Sequence, residues 1–143
     1  MVAGRPIRWK LHLRSAPEVV FRQLTTDEGR ARFWAEESRA SGDEIELMFS
    51  DGTRSRCKVL SMEAPTMFAL TYFGSEVEFR LASDGAGGTD LTMTNSGVPE
   101  AEWQEVHAGW LNVLFPLKAA VDHGVDLRNH DKARTWDGGF VDG

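Results

Sequence analysis

The four histidines and the single cysteine of this 143-residue chain are its best-suited groups for metal, nucleophilic or proton-transfer chemistry, and their spacing argues against most of it. His12, His123 and His130 show no metal-ligand spacing with one another or with nearby carboxylates, and neither an H-x-x-x-H nor an H-x-E pattern occurs, so no metal site is expected. Cys57 has no partner for an internal disulfide, and its neighbours Arg56 and Lys58 would point to the opposite face of a strand, which favours a small core residue over a nucleophile. Asp51-Gly52 and Gly85-Ala86-Gly87-Gly88 lack the Gly-Lys-Ser or G-x-G-x-x-G order of a phosphate loop, so they read as turns and no cofactor is expected. His107 is the group left over. It stands one turn before Trp110, close to an apolar face, where with Asn95 and Tyr72 it offers polar contacts to a ligand in an otherwise apolar pocket; a hydrogen-bonded structural histidine is the competing reading.

The elements that would position these groups follow from periodicity. Ile7, Trp9, Leu11 and Leu13 alternate with charged residues and His12, as a strand with one wet face requires. Ser15-Ala16-Pro17-Glu18 has the form of a capping box and opens a helix over about 16–24, and Thr25-Thr26-Asp27-Glu28 opens a second short one. From Glu37 to Val98, short alternating runs are divided by turns at Ser41-Gly42-Asp43 and Ser50-Asp51-Gly52-Thr53, the pattern of an antiparallel meander. Met67 to Phe73 is apolar on both faces apart from Thr71, which predicts a central strand covered on both sides or paired at an interface. Pro99 then opens a long helix with Trp103, Val106, Trp110, Val113, Leu117 and Ala120 or Val121 on one face, kinked at Pro116 and closed by Gly124.

Such a helix must cover the sheet. Trp9, Trp34, Phe49, Phe79, Trp103 and Trp110 fall on inward positions and are expected to wall an apolar cavity, the alternative being a solid core. Residues 1–127 make one domain, and 128–143 form a polar tail that is mobile or docks through Trp136 and Phe140 on the domain or on a second subunit.

Bulk properties exclude several classes. A formal charge of -6 supplies no basic footprint for nucleic acid and is repelled by an anionic membrane. No apolar run approaches the roughly 20 residues of a membrane span, and the N-terminus has no apolar signal region, so the expected location is cytoplasmic.

Three segments resemble a known family. Ser15-Ala16-Pro17-Glu18-Val19-Val20-Phe21 with Phe33-Trp34, then Leu91-Thr92-Met93-Thr94-Asn95-Ser96-Gly97, then His107-Ala108-Gly109-Trp110 with Leu114 and Leu117-Lys118 are similar to the activator of heat-shock-protein-90 ATPase homologue type, within the START-like (SRPBCC, pollen-allergen-like) superfamily. The resemblance covers roughly residues 6–127 and implies an α+β helix-grip fold: a curved antiparallel sheet of six to seven strands, two short helices after strand one, and a long C-terminal helix across the sheet. It further implies an apolar pocket for a small hydrophobic molecule, with Trp9, Trp34, Phe49, Tyr72, Phe79, Asn95, Trp103, His107 and Trp110 as its residues. Two alternatives come with it, a polyketide cyclase/dehydratase-like enzyme using the same cavity, and a stress-related co-chaperone module that stimulates a heat-shock chaperone's ATPase. A homodimer is a further expectation, since the two-sided apolar strand could serve as a dimer surface.

Overall fold

The alternating segment Ile7–Leu13 forms strand β1 at one edge of a seven-stranded, wholly antiparallel sheet. The computed structural model describes residues 5–143. The other strands are β2 (Glu37–Ser41), β3 (Glu44–Met48), β4 (Arg54–Glu63), β5 (Met67–Tyr72), β6 (Ser75–Ser83) and β7 (Thr89–Ser96), in the order β1-β7-β6-β5-β4-β3-β2. The meander is thus closed by β7 pairing back onto β1. Among its turns, Gly52 takes φ +87, a conformation open to glycine at no steric cost.

Register aligns two inward rows that matter for the interior. One runs through Trp9, Met93, Phe79 and Phe68, the next through Ile7, Asn95, Val77, Leu70 and Val59. Most of these side chains are fully buried, and Asn95 is the polar member among them. β5 is central, as its composition predicts, but only one of its faces is covered. Phe68 and Leu70 are buried while Met67, Ala69 and Thr71 remain partly exposed, and Phe73 lies beyond the strand in the β5–β6 turn. A bulge between Val59 and Ser61 interrupts the alternation of β4 and leaves Leu60 exposed.

Helices α1 (Pro17–Thr25) and α2 (Asp27–Ala31) follow β1. The expected capping box is not used: Ala16 occupies the cap position of α1 with no side-chain bond. Ser15 points instead to the far end of the chain, its hydroxyl 2.8 Å from both the Val121 carbonyl and the Asp122 carboxylate. Asp122 also accepts from the backbone N–H groups of Arg14 and Ser15, at 2.9 and 3.0 Å, and so staples the β1–α1 corner to the last helix. Asp122→Ala is expected to lower unfolding free energy by about 2 kcal/mol, because two backbone donors lose a charged acceptor; urea unfolding measures it.

Thr26 caps α2 by accepting from Gly29 N–H at 3.0 Å. Gly29 is obligatory there, since a Cβ would stand 2.3 Å from the Gln23 carbonyl oxygen. Arg30 turns inward, fully buried, and donates to the Leu24 carbonyl (3.0 Å), the Ser38 hydroxyl (2.9 Å) and Asp27 (2.8 Å). It ties both short helices to β2.

The C-terminal helix crosses the sheet in two segments, α3 (Trp103–Gly109) and α4 (Leu111–His123), preceded by a 3-10 turn at Glu100–Glu102. Its interruption falls at Gly109-Trp110, not at Pro116 as expected. Glycine is a poor helix former, and the indole of Trp110 is drawn into the core at that point, while Pro116 is absorbed inside α4. Gly124, at φ +64, terminates the helix. Trp110, Leu114 and Leu117 are buried under it, with Val106 and Val113 half-buried alongside. Among the described residues no helix is long and apolar enough to cross a membrane.

Residues 124–143 run back over the domain. Arg128 donates to the carbonyls of Ala35 and Ala31, both at 2.8 Å, Trp136 Nε1–H donates to Glu105 at 2.9 Å, and Asn112 donates to the Gly143 carbonyl at 3.0 Å.

Candidate functional site

Between helix and sheet the interior is packed with rings. Trp34 lies 5.3 Å from Tyr72, 5.7 Å from Phe79 and 6.0 Å from Trp110, and Trp110 lies 5.5 Å from Tyr72, centroid to centroid. Such separations suit tilted and edge-on aromatic pairs. Asn95 holds the cluster from the sheet side. Its carbonyl accepts from Trp110 Nε1–H at 2.9 Å, and its amide donates to the Ser75 hydroxyl (2.8 Å) and the Glu76 carbonyl (3.0 Å).

The open space lies beside this cluster, as a cleft of about 460 Å³. Trp34, Tyr72 and Trp110 face it from the packed side. Phe49 from the end of β3, Phe73 from the β5–β6 turn, and Val106 and Val113 from the helix continue the apolar wall. The far side is closed by the returning segment, with Arg128, His130 and Trp136. Four of the nine residues expected from the sequence therefore meet at one cleft: Trp34, Phe49, Tyr72 and Trp110.

The other five lie elsewhere. Phe79 and Asn95 are buried behind the cluster. Trp9, His107 and Trp103 form a separate stack, with His107 4.4 Å from one indole and 4.6 Å from the other. Trp9 Nε1–H donates to the His107 carbonyl, and the Arg5 guanidinium covers Trp103 at 3.9 Å. The break between α3 and α4 at Gly109-Trp110 falls between the two positions, and His107 stacks on Trp9 of β1, away from the space beside Trp110. That break separates two positions whose closeness in sequence suggested a shared pocket.

Tyr72 is the polar group set into the apolar wall. Trp34 Nε1–H donates to its oxygen at 3.2 Å, and among the described residues the phenol's own proton has no acceptor. Burial pushes its pKa up, the Trp34 bond acting in the opposite sense, so the group is a neutral O–H donor. At the rim, His130 lies 2.6 Å from Glu36 and 2.8 Å from Asp126. Glu36 first and Asp126 second raise its pKa above the usual imidazole range. Burial works against Asp126, yet its bonds from Arg128 and His130 hold it down at about 2. Sequence spacing gave no sign of this pairing, because Glu36 and His130 are brought together only by the returning segment.

His130 and Phe73 are also the two non-glycine residues with positive φ among those described, at +57 and +47, and both line the cleft. Backbone in this region is held by its surroundings and concentrates at functional sites. Among the described residues no three of His, Cys, Asp and Glu are grouped to hold a metal ion.

The family whose sequence model matches the chain is described as Activator of Hsp90 ATPase homolog 1-like protein, and the match covers residues 14–122. The chain belongs to this family. Solved structures of the same fold include protein SSP2350 of Staphylococcus saprophyticus, at TM-score 0.76 and 22% identity, covering 87% of this chain and 96% of that one. The Aha1 dimer of Colwellia psychrerythraea also has TM-score 0.76 and 22% identity, over 85% of this chain and 98% of its own. DynU16, a protein of the dynemicin biosynthetic locus, has TM-score 0.74 and 22% identity, over 86% of this chain and 49% of its own. No curated protein matches the chain in sequence. In family terms, β1 ends and α1 begins near the start of the match and α4 ends with it, so the segment that closes the cleft follows the matched region.

Proposed function

We propose that this family member binds a small hydrophobic molecule in the cleft between the sheet and the C-terminal helix, with the Tyr72 hydroxyl donating to an acceptor such as a carbonyl on that molecule. The observation that carries the reading is an apolar wall of Trp34, Phe49, Tyr72, Phe73, Trp110, Val106 and Val113 around a space of about 460 Å³, in which the Tyr72 hydroxyl proton has no acceptor among the described residues. Concave, largely apolar sites of this size with few polar groups are the usual form of small-molecule pockets. Apolar burial supplies affinity, and the phenol orients the ligand.

The test is titration of the full chain with N-phenyl-1-naphthylamine and with a carbonyl-bearing naphthalene probe of similar size. Saturable binding of both is expected, and its absence in the wild-type protein overturns the reading. Tyr72→Phe should weaken the carbonyl-bearing probe by roughly five- to tenfold, the worth of one hydrogen bond, and leave the other unchanged.

The family match favours a second reading, stimulation of a heat-shock chaperone's ATPase. An ATPase assay at saturating protein decides it, with no stimulation as the negative result. The Colwellia structure is that of a dimer; a homodimer of this chain is part of the same proposal, and light scattering behind size exclusion reads it directly.

A further inference from the structure

We propose that residues 124–143 are a latched lid over the cleft and that Trp136 is the side chain that sets which hydrophobic molecules the cleft admits. The inference rests on the cleft being the binding site, and it goes further by assigning selection and release to a segment beyond the family's matched region, residues 14–122.

The anchors of the segment lie on opposite lips of the cleft. On one lip, Arg128 donates to the Ala31 and Ala35 carbonyls and His130 meets Glu36. On the other, Trp136 donates to Glu105 of α3, and Asn112 of α4 donates to the Gly143 carbonyl. A chain tied to both lips and lining the space between them spans its mouth. Of the segment's residues that line the cleft, Trp136 has the largest side chain, and to it we assign control of the width available to a ligand.

The anchors are also of a kind that opens without unfolding the domain. They are polar, the His130–Glu36 and Trp136–Glu105 contacts exposed and the Arg128 and Asn112 bonds half-buried, while the segment's apolar residues Val125, Leu127, Phe140 and Val141 stay exposed instead of adding to the core. Few buried apolar contacts and exposed hydrogen bonds are the signature of low local stability. His130, at φ +57, adds a backbone conformation that relaxes on release.

Protonation of His130 strengthens the latch. The groups around it are Glu36 on the body, Asp126 and Arg128 on the segment, and Glu37, Asp51 and Lys132 in the recess that it also lines. With its pKa raised, the contribution of His130 is fully present below the unfolded value of about 6.5 and is lost as pH rises through the higher folded value.

The experiment follows dissociation of N-phenyl-1-naphthylamine from the full chain by stopped flow, beside amide hydrogen exchange over residues 124–143. Trp136→Phe, which keeps a ring and removes the donor to Glu105, should speed release and lid exchange by roughly tenfold with ligand-size preference retained. Trp136→Ala should do the same and shift preference toward a bulkier pyrene probe. The wild-type protein should release the probe faster at pH 8 than at pH 6, and His130→Gln should abolish that difference. Unchanged rates and unchanged size preference in the Trp136 variants overturn the proposal. If the wild-type protein binds no probe, the binding reading falls, and the exchange measurement still decides whether the segment opens locally: protection equal to that of the sheet rejects the lid.

Discussion

Trp110→Ala is expected to lower the unfolding free energy by about 4 kcal/mol, the middle of the range for deleting a large buried aromatic side chain. The indole is 2% exposed and lies against Trp34, Tyr72 and Phe79, so its removal empties the centre of the ring cluster. It also strips Asn95 of the N–H that its carbonyl accepts. Trp110→Phe separates the two effects by keeping a ring and losing the donor, with an expected loss of about 2 kcal/mol. Asn95→Leu should cost about 2 kcal/mol, because the Trp110 N–H is left without an acceptor in the interior. In urea unfolding the double variant should lose clearly less than the sum of Trp110→Phe and Asn95→Leu. Strict additivity would contradict the bond between them.

Arg30→Ala is expected to cost about 3 kcal/mol, at the low end for breaking a buried ion pair because the Asp27 side chain is 44% exposed and stays hydrated. The loss should depend on pH. Burial acts to raise the Asp27 pKa, but bonds from Ala40 N–H, Ser38 and Arg30 outweigh it and leave the group below its usual value. A depressed carboxylate contributes stability above its unfolded value of about 4 and loses it as pH falls through the folded value. Removing Arg30 takes away part of that depression, so the difference between variant and wild type should shrink from pH 6 to pH 2. A constant difference across that range would mean that the variant acts through packing alone.

The strands were legible in the sequence because their period-two patterns are local. Ile7–Leu13, Glu44–Met48 and Thr89–Ser96 stand where alternation puts them, and the Asp51-Gly52 turn joins β3 to β4. The order of seven strands, the short helices after β1 and the covering helix agree with the helix-grip expectation. What local reading could not supply was pairing across long stretches of chain. Ser15 looked like a cap because Pro17 and Glu18 follow it, whereas its partner is Asp122, 107 residues away. Arg30 sat in an ordinary helical run, and nothing near it announced a buried guanidinium.

The candidate site was legible in half. Trp34, Phe49 and Trp110, expected from inward position, and Tyr72, expected as a polar contact, line the same cleft. Trp9 and Trp103 satisfied the same inward rule but gathered with His107, expected as a polar contact, into their own stack at the β1 side. Inwardness alone does not say which part of an interior is filled. Glu36, Arg128 and His130 were beyond reach, since their meeting depends on how the final segment folds back.

The sheet ends on two strands, β1 and β2, each with one row of main-chain groups facing outward. β2 is five residues long and carries Glu37 and Arg39, while β1 displays Arg8, Lys10 and His12. Short length and charge are common guards against strand-to-strand fusion between copies. A self-association built by extending the sheet is therefore disfavoured at both margins, and crowding or partial destabilisation of the rim should yield soluble monomers or helix-mediated contacts before fibrillar assembly.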